Sequence, residues 1–330
     1  MSKYLSGKKV LFIAPIFHNY HTSIISKLED AGAEVVFCPE RKYGAAFKFI
    51  NNFYPQKLKR YQARHYEEIL EKSAGISIDY LLVVRGFMMP ATFMAQFRAQ
   101  HPGAKAIMYQ WDSNKTNPFI HLIPSFDRCF SFDFEDCENA AQLEYVPLFY
   151  TDDVKLAAAR PKETLVYDFF FMGWYFPERY AAVINFRKYA ESRGWKLKAF
   201  LYIPFTTYVK ERLKGIKPDR SIVSFRQMSR QEYLSTLCTS RVMVDVSNPN
   251  QTGLAMRIIE AFACGVKVLT NNRRLMNDKI YVTSNVCFFD DKSPVIEDET
   301  FLSTPVTRAA AVLSIDEWLS KMFAAVNNAN

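Results

Sequence analysis

The segment Gln251–Asn271, QTGLAMRIIEAFACGVKVLTN, places two charged side chains, Arg257 and Glu260, inside an otherwise apolar run. Leu254, Ile258, Ala261 and Phe262 recur at helical spacing, and Gly265 suits the left-handed position that ends a helix. Thr252 and Gly253 are expected to open that helix, with Val266–Thr270 following as a short buried strand. A helix N-terminus presents unpaired backbone N–H groups and the positive end of the dipole, which together suit a phosphate. A carboxylate one turn along, at Glu260, can accept hydrogen bonds from a sugar diol, as acidic residues do for ribose in dinucleotide folds. The plainer alternative is a helix packed on a sheet, with Arg257 and Glu260 paired at i, i+3 for a few tenths of a kcal/mol.

Gly253 to Gly265 resembles the nucleotide-sugar signature of GT-B glycosyltransferases, a glycine-opened helix of the type G-L-x-x-R-x-x-E-A-x-A-C-G. The resemblance implies an α/β chain of two tandem Rossmann-like, parallel-sheet domains facing a cleft. It implies transfer of a sugar from a nucleotide-sugar donor to the hydroxyl of a sugar or lipid-linked acceptor, with bacterial cell-envelope or exopolysaccharide sugars as products. On that pattern Glu260 binds the nucleotide ribose, Thr252 and Gly253 hold phosphate, and Arg257 offsets charge on the departing diphosphate. The fold usually works without a metal, and no cofactor beyond the donor substrate is expected.

Ligands of open parallel sheets bind beyond the carboxyl ends of the strands. After the predicted strand Lys8–Ala14 come His18 and His21, whose imidazoles titrate near neutral pH. In inverting members of the resembled family a general base lies in this region. Asp112, after Ala104–Gln110, is the rival base or an acceptor-hydroxyl ligand; its ordinary role would be to cap a turn. Asp133 and Glu135 are a weaker third option. In the second half, the resemblance assigns Gly173 to a turn whose backbone approaches the diphosphate, with Arg179 adding charge. Arg226 would face the base or a phosphate, and Ser247, Asn248 and Asn250 would bond the donor sugar or phosphates.

The elements that must position these residues alternate. Strands Lys8–Ala14, Glu34–Cys38, Tyr80–Val84, Ala104–Gln110, Arg128–Phe132 and Glu144–Leu148 are separated by helical patterns, including His21–Ala31 and Pro90–Gln100. Strands this apolar between helices mean a parallel sheet covered on both faces. A polar stretch, Thr151–Thr164, with Pro161 and Lys162, then marks a boundary. The pattern restarts with strands Tyr167–Met172, Lys196–Tyr202, Ser221–Phe225, Val242–Val246, Ile280–Val282 and Val286–Phe289. Helices are expected over Arg179–Arg193, over Ser229–Thr239 with Ser229 as N-cap, and over Ile315–Val326. The expected division is an acceptor domain over 1–150 and a donor domain over 151–330.

Composition narrows the classes. Of 330 residues, 49% are hydrophobic and 15% aromatic, enough for two packed cores and inconsistent with disorder. No run approaches the ~18 apolar residues of a membrane span, and the apolar run Val10–Pro15 is too short for a signal sequence. The six cysteines form no C-x-x-C pair, which points to reduced thiols and a cytoplasmic location. Neither G-x-G-x-x-G nor a P-loop is present among only 11 glycines, and no His, Asp and Glu cluster has metal-ligand spacing. The net charge of +8 is concentrated late: Arg179 to Arg274 holds 18 basic residues against 6 acidic, which favours an anionic ligand. A nucleic-acid partner is not expected, because no recognised binding motif accompanies the charge. Arg41–Tyr66 holds seven basic residues, no acid and interleaved aromatics. It could rest on an anionic inner membrane face, form an acceptor flap, or bury its aromatics in an ordinary helix. Two other readings of the signature stay open: a nucleotide-sugar epimerase on the same fold, and a non-catalytic nucleotide-binding partner protein.

Overall fold

The computed structural model describes residues 3–160, 164–309 and 311–327. Pro161 and Lys162 of the expected linker lie outside the described residues. The chain forms two compact units, one of Met1–Leu148, Asn250–Gly253 and Ser314–Asn330, the other of Phe149–Pro249 and Leu254–Leu313. This differs from a contiguous second domain over 151–330. The short segment Asn250–Gly253 and the closing helix Ile315–Asn327 belong with the first unit.

The first unit is built on strands β1 (Lys9–Ala14), β2 (Glu34–Pro39), β3 (Tyr80–Val84), β4 (Lys105–Gln110), β5 (Arg128–Ser131) and β6 (Leu143–Tyr145). They lie in the order β2-β1-β3-β4-β5-β6, and every pairing is parallel. Val10 to Ala14 and Leu81 to Val84 are fully buried, as central strands with both faces covered require. On one face Tyr66, Phe93, Phe97 and Met108 form the centre of the core.

The second unit repeats the plan with β7 (Tyr167–Trp174), β8 (Leu197–Tyr202), β9 (Val223–Ser224), β10 (Ser240–Asp245), β11 (Lys267–Thr270) and β12 (Val286–Phe288). Their order is β9-β8-β7-β10-β11-β12, again all parallel. Counted from the unit's first strand this is 3-2-1-4-5-6, the doubly wound dinucleotide order, whose direction reverses between β7 and β10. In the first unit the reversal falls between β1 and β3. These two switch points are where each sheet opens a crevice for a ligand.

Some expected strands are cut short by local hydrogen bonds. Ser221–Phe225 contracts to Val223–Ser224: the Asp219 carboxylate accepts the Ser221 N–H and its backbone carbonyl those of Ile222 and Val223. Ile280–Val282 is not a strand; the Asp278 carboxylate accepts the Ile280 N–H at 2.9 Å and turns the chain. The helix Phe205–Leu213, absent from the sequence reading, fills the connection after β8.

Candidate functional site

The signature helix is shorter than its periodicity suggests. It runs Met256–Ala263, with Ala255 as an N-cap that makes no side-chain hydrogen bond. Ala255 thus offers its first N–H groups no side-chain acceptor, which suits an anion there. Thr252 and Gly253 do not open it, which corrects the sequence expectation. They precede it within the first unit, where the Asp133 carboxylate takes both N–H groups, at 2.6 and 3.1 Å, and the Thr252 hydroxyl at 2.8 Å. Those N–H groups already have an anionic acceptor in Asp133 and are not open to phosphate. Gly253 is required there, since an added Cβ would overlap the Phe132 carbonyl and ring.

At the second unit's switch point three of the expected residues come together. Gly173, near the end of β7, leaves room for its neighbours: a Cβ there would lie 3.2 Å from the Phe171 ring and 3.6 Å from Arg179 Cδ. Arg179 sits in the first turn of the helix Pro177–Ser192, begun by a proline at its first position. Its guanidinium is buried and donates to the carbonyls of Trp174 and Val246, both at 3.2 Å, so it bridges the exits of β7 and β10. Burial first, and then the charge of Arg257, lower its pKa to about 10. Arg257 pairs with Asp245, the fully buried last residue of β10, which also accepts from Thr270 Oγ1 at 2.7 Å. Two guanidiniums thus flank the Asp245 carboxylate, and the Asp291 carboxylate, held by Asn271 at 2.9 Å, lies near enough to feel its charge. Ser247 joins the rim through Asn271, whose Oδ1 accepts from the Ser247 N–H and Oγ, both at 2.8 Å.

Arg226 and Glu260 are placed elsewhere. Arg226 is exposed just past the edge strand β9. Glu260 is buried and pairs with Arg230 at 2.7 Å, and Arg230 in turn holds Asp153 at 2.7 Å. Sequence reasoning missed Asp245, Arg230 and Glu40. Asp245 and Glu40 had a legible signal: Asp245 closes the strand SRVMVD and Glu40 follows directly on EVVFCP.

Among the described residues of the first unit, four non-glycine residues adopt positive φ: His18 at 42°, Asn19 at 63°, Arg85 at 70° and Met88 at 49°. All lie on the loops leaving β1 and β3, at that unit's switch point. Strained backbone of this kind concentrates at ligand sites. The His18 ring is exposed and meets Phe17 edge-on at 4.2 Å. Phe17 also contacts Trp111, 6.4 Å between centroids, so the exits of β1 and β4 share one aromatic rim. His21 lies in the first turn of the helix Tyr20–Asp30, stacked on Phe37 with Nδ1 buried and unbonded. Burial lowers its pKa, disfavouring the charged imidazolium.

Asp112 is anchored. Its carboxylate accepts from Arg85 at 3.3 Å and from Gln251 at 3.2 Å. Arg85 also pairs with Glu40, which is fully buried and accepts the Phe87 N–H at 2.9 Å. Asp133 caps the helix Phe134–Asn139 through the Asp136 N–H at 3.1 Å. Among the described residues, no group of three or more His, Cys, Asp or Glu is arranged to hold a metal.

Two parallel sheets of doubly wound type, each with its crevice at a switch point, are the parts of one known architecture. The chain has the GT-B fold. Sucrose-phosphate synthase from Thermosynechococcus elongatus superposes with a TM-score of 0.58 at 11% identity, over 98% of this chain and 100% of that one. Anabaena Alr3699/HepE, determined with UDP and glucose, gives 0.58 at 12% identity, over 96% and 100%. A putative UDP-N-acetylglucosamine 2-epimerase from Listeria monocytogenes gives 0.58 at 14% identity, over 97% and 96%. No protein-family model matches the sequence, and comparison with curated proteins finds no match. Both transferases and epimerases therefore share this GT-B frame, and no helix among the described residues is long and apolar enough to cross a membrane.

Proposed function

We propose that this GT-B chain is a glycosyltransferase that moves a sugar from a nucleotide diphosphate sugar to an acceptor hydroxyl. The observation that carries the reading is the Arg179–Arg257 pair of guanidiniums at the β7/β10 switch point, held around Asp245. A diphosphate is the anion this pair would meet. Its oxygens meet Arg257 and the uncapped start of the helix Met256–Ala263, while Arg179 fixes the strand exits around them. Glu260, buried and paired with Arg230 away from this crevice, takes no part in holding the donor.

The acceptor side is supplied by the first unit. His18, exposed on its strained turn, removes the proton from the acceptor hydroxyl. The oxygen attacks the anomeric carbon as the bond to the terminal phosphate oxygen breaks. The nucleoside diphosphate leaves with its new charge matched by Arg257, so the chain's own cations do the work a metal does elsewhere. Asp112, held by Arg85 and Gln251, positions the acceptor. The acceptor is a sugar or lipid-linked sugar of the cell envelope. Phe49 and Phe53, 54% and 68% exposed on the helix Ala45–Phe53, rest on the anionic inner face of the cytoplasmic membrane.

The epimerase reading is favoured by the Listeria likeness, and one experiment separates the two. The chain is incubated with UDP-, GDP-, dTDP- and ADP-sugars, with and without an acceptor library, and free nucleotide and sugar configuration are followed. Transfer predicts nucleoside diphosphate release that rises with acceptor. Epimerised donor without an acceptor, and no acceptor-dependent release, would overturn it.

A further inference from the structure

The second unit contains a cavity of about 720 Å3 well away from its switch point. Its floor is Ser240–Arg241 and Val266–Lys267, the amino-terminal starts of β10 and β11, whereas the crevice lies at their carboxyl ends. The helices Asp152–Ala158 and Arg230–Cys238 form its walls with the segment 302–306. The volume falls inside the range of about 300–1,000 Å3 typical of small-molecule sites.

Its lining is divided. Leu156, Leu165, Leu234 and Leu302 make an apolar wall. At the floor lie two cations, Arg241 and Lys267. Lys267 is buried, donates to the Phe301 carbonyl, and forms no ion pair with a described carboxylate. Arg241 donates to the Leu302 carbonyl at 2.9 Å, and the carboxylate of Asp168 is 3.7 Å from it. Burial and the nearby Arg241 charge both disfavour the Lys267 ammonium. A buried cation is ordinarily paired with an anion; at Lys267 a neutral carbonyl stands in that place, whereas the partly exposed Arg241 has Asp168 within ion-pair range. Arg230 at the mouth does not share this deficit, being matched by Asp153 and Glu260.

We propose that this cavity binds a single-chain amphipathic anion, its acyl or alkyl tail against the leucines and its carboxylate or phosphate head on Arg241 and Lys267. The inference does not depend on the donor site or on transferase activity. Calorimetric titration of the full chain with laurate, dodecyl phosphate and neutral dodecanol tests it. One saturable site is expected for at least one of the two anions, with dodecanol binding at least tenfold more weakly and UDP not competing. Laurate alone would assign a fatty carboxylate, dodecyl phosphate alone a lipid phosphate. Arg241→Gln and Lys267→Met, checked for folding by urea denaturation, should each weaken the anion tenfold or more. Leu234→Trp should fill the cavity and abolish binding. The comparison of the anions with dodecanol needs no variant. Dodecanol binding as tightly as both anions, or no saturable binding of either anion below its micellar concentration, would overturn the proposal.

Discussion

Asp133 and Thr252, far apart in sequence, are joined twice, the carboxylate accepting the threonine N–H at 2.6 Å and its hydroxyl at 2.8 Å. The same threonine oxygen accepts the Glu135 N–H at 2.9 Å, so the segment before the signature helix is pinned to the exit of β5. Thr252→Val keeps the shape but removes a donor to a buried carboxylate and strands the Glu135 N–H. Its expected cost is about 1–3 kcal/mol, read by urea denaturation. Asp133→Ala, which leaves four donors without their acceptor, should cost more. A Thr252→Val protein as stable as the native one would show that these bonds exchange evenly with water.

Much of this frame was legible in the chain. The apolar strands and their alternation with helices gave a parallel sheet in each unit, because burial on both faces leaves a recognisable run such as VLFIA or YLLVV. Gly173, Arg179 and Arg257 were legible because strand ends and the signature spacing point to them. The Thr252–Gly253 segment was not. Its glycine reads as a helix start, and only the distant Asp133 carboxylate and the crowding by Phe132 show otherwise. Glu260 likewise has a partner, Arg230, 30 residues away, that no local spacing announces.

Asp136 should make stability depend on pH. Burial chiefly, with the charges of Asp133 and Glu135, raises its carboxyl pKa to about 6, although the Asn114 N–H opposes the shift. Because the folded-state pKa lies above the unfolded value, the folded state holds its proton longer, and this group's contribution falls as pH rises from about 4 to about 6. Asp136→Asn keeps an oxygen for the Asn114 N–H and has no charge to bury. The variant should match the native protein near pH 4 and exceed it by something on the order of 2–3 kcal/mol at pH 7. A stability difference that does not change between those pH values would contradict the buried-carboxyl account.

The three base candidates predict different kinetics. His18→Ala should lower kcat about 100- to 10,000-fold with nucleotide affinity unchanged. His21→Ala, which removes a ring packed on Phe37, should act mainly on stability. Asp112→Asn loses an ion pair with Arg85 and should raise KM for the acceptor more than it lowers kcat. A collapse of kcat in Asp112→Asn with His18→Ala near native would transfer the base to Asp112.

The most direct test of the central claim is equilibrium binding of UDP, GDP, dTDP, ADP and CMP to the native chain and to Arg257→Gln. Glutamine still offers Asp245 a hydrogen bond but removes the charge meant for the diphosphate. One nucleoside diphosphate should bind the native chain, with affinity falling about 10- to 100-fold in the variant, as loss of a charge-assisted bond of about 1.5–3 kcal/mol requires. No nucleotide bound at millimolar concentration, or equal binding to both proteins, would leave the Arg179–Arg257 pair as structural packing and contradict the donor site.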